Sequence, residues 1–143
     1  MSGALAFELH ALVSRLDRAA DRLLQAEMGI AYRRFLVLFM VDELGATTQR
    51  ALARRLDVSD PSVSRMTGLL AEAGLLEVAA APEGGHRRRL ALTPDGKQLV
   101  DRCRDLLSRR LGEVVERSGV PAEEYLAHTQ RLSALLDDGG PGA

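Results

Sequence analysis

The 143 residues carry 19 Lys and Arg against 20 Asp and Glu, a formal charge of -1, with 46% hydrophobic and only 3% aromatic side chains. A chain of that length and apolar fraction suits one globular domain, while a lone cysteine, Cys103, excludes an internal disulfide framework and fits a reducing compartment. The longest apolar run, Phe35 to Val41, is far too short to span a bilayer, and the N-terminus lacks the basic, apolar, small-residue order of a signal peptide, so a cytoplasmic protein with no membrane partner is expected.

The first predicted element is a helix over about 4–27. Leu5, Leu9, Leu12, Leu16, Ala19 and Leu23 recur at alternating four- and three-residue steps, and Val13, Ala20 and Leu24 widen the stripe. Such a helix spans roughly 35 Å, longer than a domain this small needs to cover its own core, so the stripe is expected to meet a second subunit. A second helix, from about Ile30 to Leu44, is apolar on nearly every side and reads as core.

Two short helices follow. Thr48 can cap the first, which carries Leu52, Ala53 and Leu56 on one face and Arg50, Arg54 and Arg55 elsewhere. Asp57-Val58-Ser59 breaks it, and the second restarts at Asp60-Pro61, with Asp60 expected to accept a free backbone N–H and Pro61 in the first turn. Val63, Met66, Leu70 and Ala73 mark its inward face, leaving Ser62, Ser64, Arg65 and Gly68 outside. An outer surface of short residues plus one guanidinium lets a helix axis approach base edges in a major groove, although an ordinary surface helix has a similar pattern.

Gly74 ends that helix, and Leu75 to Ala81 follow as an apolar run with Leu76 and Val78 in alternation. Pro82-Glu83-Gly84-Gly85-His86 has turn composition, and Arg87-Arg88-Arg89-Leu90-Ala91-Leu92 reads as the returning strand. Three arginines on a projecting hairpin can reach phosphates or a minor groove, or form a solvated charge run. Strand alternation puts Arg87 and Arg89 on one face and Arg88 on the other. A long helix from Thr93-Pro94-Asp95 to about Arg117 comes next, then a last one after Pro121 with Leu126, Leu132, Leu135 and Leu136 apolar.

The stretches Thr48 to Leu56, Val58 to Met66, Leu70 to Leu75 and Leu90 to Gly96 together resemble the MarR family of bacterial winged helix-turn-helix transcription regulators, and the resemblance covers nearly the whole chain. It implies a homodimer on double-stranded DNA, with the second motif helix of each subunit in a major groove and the wing against the adjacent minor groove. The fold class expected is mainly α with a small β-hairpin wing: one domain over 1–143, the winged helix-turn-helix at about 30–93, dimerisation helices at about 4–27 and 95–137, and a flexible tail at 138–143. The DNA-facing candidates are Thr48, Gln49, Ser59, Ser62, Ser64 and Arg65 from the helices and Arg87, Arg88 and Arg89 from the wing. Two positions depart from the family pattern: Gly84-Gly85-His86 stands where an Asp-x-Arg sequence is usual, and Leu69 where a basic residue is common.

Net charge does not oppose this reading, because arginines concentrate between Arg50 and Arg89 while many of the acids lie toward the ends. No catalytic constellation or metal spacing is visible: His10, His86 and His128 fall in separate elements, and no phosphate-cradling loop appears, so neither an enzyme nor a cofactor is expected. Cys103 lies in line with Leu99, Val100, Leu106 and Leu107 and reads as an inert core filler rather than a redox sensor. The resemblance also implies a small aromatic or phenolic effector that releases the DNA, with His10, Tyr32, Arg33, Phe35 and Phe39 as candidate liners. The functional expectation is a sequence-specific regulator, a repressor on a palindromic site; the alternative is a dimeric protein-interaction scaffold of the same fold without specific DNA binding.

Overall fold

The computed structural model describes residues 2–45, 47–80 and 88–138 and divides the chain into two compact units, Met1–Arg104 and Asp105–Ala143. Six helices and three short strands are seen among the described residues: α1 (Ser2–Met28), α2 (Tyr32–Leu44), β1 (Thr47–Thr48), α3 (Gln49–Leu56), α4 (Asp60–Glu72), β2 (Leu76–Ala80), β3 (Arg88–Leu92), α5 (Pro94–Ser118) and α6 (Ala122–Asp138).

The first unit is built around α2. Its side chains Phe35, Val37, Leu38 and Val41 are buried together with Leu24 of α1, Leu52 and Ala53 of α3, Val63 and Leu70 of α4, Leu76 of β2 and Leu90 of β3. The start of α2 has no local side-chain cap, because Ala31 precedes it. Asp21 of α1 supplies one from eleven residues away: the Tyr32 backbone N–H donates to its Oδ1 at 3.0 Å, and Gln25 Nε2 donates to its Oδ2 at 2.7 Å. Those two donors hold the Asp21 carboxyl below its ordinary range.

The strands form an antiparallel sheet in the order β1-β3-β2, with Thr47 opposite Leu90 and Leu90 opposite Val78. β1 has two residues and was not expected; a pairing that short leaves no alternation to detect in the sequence. Gly74 lies between α4 and β2 at a φ of 77°, the left-handed conformation that glycine adopts without a side-chain clash. Thr93 then ties the returning strand to that turn: its N–H donates to the Leu75 carbonyl at 3.1 Å, its hydroxyl donates to the Gly74 carbonyl at 2.7 Å, and its Oγ1 accepts the Gly96 N–H at 3.0 Å. Here α5 approaches so closely that a Cβ on Gly96 would collide with the Leu75 carbonyl oxygen.

Cys103, on α5 within the first unit, is fully buried, and burial pushes its thiol up from the usual range, as befits a core filler. In the second unit Leu106 is buried, whereas Leu111, Val114, Leu126, Leu132, Leu135 and Leu136 are exposed. On α1 the stripe is likewise uncovered in the single chain, with Leu5, Leu9, Leu12, Val13 and Leu16 exposed and only Leu24 closed off.

Candidate nucleic-acid interface

Capping chemistry starts both motif helices. Thr48 Oγ1 accepts the Ala51 N–H at 3.1 Å, as the sequence predicts. For α4 the cap differs from expectation: Ser59, not Asp60, is the N-cap, its Oγ accepting the Ser62 N–H at 3.3 Å, while Asp60 stands in the first helical turn beside Pro61. A carboxylate there still favours the positive end of the helix dipole. Ser59 also donates to Ser62 Oγ at 2.9 Å, so both hydroxyls are occupied with the cap, and only the Ser62 proton remains for an outside acceptor.

Ser64, Arg65 and Gly68 are exposed on α4, as expected of its outer face. The inward face needs correcting. Val63 and Leu70 are buried, but Ala73 is exposed at the helix end and Met66 is only half-buried; the third buried position is Thr67, fully closed off. A threonine adds nothing to an apolar periodicity, yet its hydroxyl is satisfied inside, donating to the Val63 carbonyl at 2.9 Å and accepting from Gln49 Nε2 at 3.0 Å.

Between α3, the start of α4 and β3 runs a cleft of ≈ 780 Å³ lined by Thr48, Gln49, Arg50, Ala51, Arg54, Asp60, Pro61, Ser64 and Arg88. Its lining carries three guanidiniums against one carboxylate, the charge balance that attracts a phosphate backbone. Arg50 and Arg54 were not among the expected contacts, although their four-residue spacing places them on one helix face. Arg88 stands two residues before the buried Leu90 and so shares its side of the strand, while Arg89 opposes Thr48 and Ala79 on the other. Arg87 and the turn Pro82 to His86 lie outside the described residues.

The effector candidates come together only in part. Tyr32, Phe35 and Phe39 form a row along α2, with ring centroids 6.1 and 5.8 Å apart, and Arg104 lies 5.2 Å over the Phe39 ring. Phe35 is core, at 4% exposure. Burial, with Asp17 nearby, raises the Tyr32 hydroxyl above its ordinary range. Arg33 and His10 are exposed, and none of the five lines the basic cleft. Among the described residues no group of His, Cys, Asp and Glu is placed to hold a metal ion, and no helix is long and apolar enough to cross a membrane.

Residues 28–89 match the sequence model of the MarR family. The fold is similar to that of wild-type MarR (apo form) from E. coli, with a TM-score of 0.78 at 22% identity over 92% of this chain and 96% of that one. A mutant MarR from E. coli complexed with operator DNA gives a TM-score of 0.72 at 22% identity over 95% and 99% of the two chains. A MarR-family transcriptional regulator from Rhodococcus sp. RHA1 gives 0.78 at 20% identity over 94% and 92%. No curated protein matches the chain.

Proposed function

From the premise that the winged helix-turn-helix between residues 28 and 89 is of the MarR family, we propose that the chain is a sequence-specific DNA-binding transcription regulator. The observation that carries the reading is the juxtaposition of the low outer face of α4, with Ser64, Arg65 and Gly68, and the cleft that holds Arg50, Arg54 and Arg88. A helix with short outward residues can approach base edges, and guanidiniums beside it can take the backbone phosphates that set its register. The bound state of the operator complex among the similar folds supports double-stranded DNA as the partner.

The active species is a homodimer, because α1 leaves Leu5, Leu9, Leu12, Val13 and Leu16 uncovered and α6 leaves Leu126, Leu132, Leu135 and Leu136 uncovered. Two-fold symmetry of the protein then implies a palindromic site, and occupancy of that site in the cytoplasm represses transcription. Release by a small aromatic acid rests on the Tyr32, Phe35 and Phe39 row with the Arg104 guanidinium at its end. Leu69, 42% exposed on α4, favours the scaffold alternative, since a phosphate-facing helix gains nothing from an apolar side chain there.

Selection of bound fragments from a pool of random duplexes decides between the two. A regulator enriches a palindrome. A pool that emerges without enrichment, from protein shown to be dimeric and folded, supports the scaffold and overturns specific binding.

A further inference from the structure

The interior of the helix-turn-helix holds one polar link that the resemblance does not account for. Thr67 is fully buried on the inward face of α4, between Val63 and Leu70, where an aliphatic side chain would fill the space without a hydroxyl to satisfy. Its proton is committed to α4 itself, donated to the Val63 carbonyl at 2.9 Å, with the Ser64 carbonyl at 3.2 Å. A hydroxyl has one proton and two lone pairs, so its remaining capacity is to accept, and Gln49 Nε2 donates to it at 3.0 Å. Gln49 is the first residue of α3, directly after the Thr48 cap, and it is among the residues that line the basic cleft, as is Ser64.

We infer that the Gln49–Thr67 hydrogen bond is a bolt that sets how α4 is presented to DNA, and that both are positioning residues; the inference rests on the DNA-binding reading above. Apolar contacts between α3 and α4 are non-directional and tolerate small slides and rotations, whereas a hydrogen bond with a buried hydroxyl is satisfied in one register only. The bond ends on the turn of α4 that carries Ser64 and leads into Arg65, the outward residues proposed to reach bases. Thr67 transmits the constraint to that turn through the Val63 and Ser64 carbonyls. In this role Gln49 acts through Thr67; its second amide proton and its Oε1 are not used by the bond, and a direct contact with phosphate is the outcome that the salt dependence below separates.

The test is the ratio of affinities for the selected duplex and for an unrelated one, measured at several salt concentrations for full-length Thr67→Val, Gln49→Met, the double variant and Thr67→Ser. Each of the first two is expected to lower the ratio about fivefold, the size set by one neutral hydrogen bond. The double variant should lose no more than either single one, because both remove the same bond. Thr67→Ser restores the ratio. The dependence of affinity on salt stays unchanged, since no phosphate contact is removed. A folded Thr67→Val protein with the parental ratio overturns the inference, and so does a Gln49→Met protein whose salt dependence becomes shallower, because Gln49 would then touch the backbone directly. If Thr67→Val does not fold, Gln49→Met, at the half-buried end of the bond, decides alone. A parent chain that prefers no duplex overturns the functional reading and the bolt together; a selective parent with indifferent variants overturns the bolt only.

Discussion

Asp21 illustrates how one side chain couples two elements to pH. Its carboxylate accepts the first N–H of α2 and the Gln25 amide, and both favour the charged form, so its folded pKa lies below the unfolded one. The stabilisation is present above the unfolded value and is lost as pH falls through the folded one. Asp21→Ala should therefore melt at lower temperature than the parent at pH 7, and the gap should narrow as the pH drops below about 4, near the ordinary carboxylate value. A gap independent of pH in thermal melts would show that the charge contributes nothing. Gly96 makes a different kind of prediction. Gly96→Ala would drive a methyl into the Leu75 carbonyl oxygen, which already accepts the Thr93 N–H, and should cost about 1–3 kcal/mol in urea unfolding, the usual range for forced overpacking. An unchanged midpoint would mean that α5 can shift freely. At Arg65, exposed on α4, Arg65→Ala should reduce discrimination between duplexes by roughly 1–3 kcal/mol, as loss of one good base contact does. Equal loss on every duplex would assign it to the backbone instead.

The element that departs most from expectation is the wing. Its two described strands hold the register Leu76 opposite Leu92 through Ala80 opposite Arg88, and β1 adds a third strand on the far side of β3. Because β3 is central, its alternation is pinned from both edges: Leu90 is buried, Arg88 follows it on the same side into the cleft, and Arg89 points the other way. The expectation that Arg88 and Arg89 separate onto opposite faces holds, and Arg88 lines one cleft with Arg50 and Arg54 of α3. Removing Arg88, Arg50 or Arg54 singly by alanine should make the salt dependence of DNA binding shallower, by roughly 0.9 in log–log slope for each lost phosphate contact. Slopes equal to the parent's would make these arginines a solvated charge run.

At the scale of the molecule the uncovered apolar side chains dominate. Phe7 is 69% exposed and Leu136 79%, and the proposed homodimer is what would cover such side chains. Deleting the residues before Leu24 should abolish the dimer and yield aggregated or unfolded protein. A soluble monomer of parental helicity after that deletion, by sedimentation and circular dichroism, would refute dimerisation through α1.

What the sequence determined alone was whatever short-range chemistry encodes. The leucine spacing of α1, the Thr48 cap, Pro61 in the first turn of α4 and the left-handed stop at Gly74 each act within a few residues, so periodicity and capping rules reach them, and they sufficed for the winged helix-turn-helix order. Even there the cap of α4 falls at Ser59 and not at the expected Asp60, since both side chains can accept from a free N–H and only backbone geometry picks the cap. The tertiary structure decided everything that depends on a distant partner: Asp21 capping α2, Thr47 and Thr48 pairing with β3, Thr93 reaching Gly74, and Gln49 donating to the buried Thr67 hydroxyl. It also brought Arg50, Arg54 and Arg88 into one cleft. A hydroxyl or guanidinium looks the same in sequence whether it faces water or a partner, and only packing across long chain separations determines which.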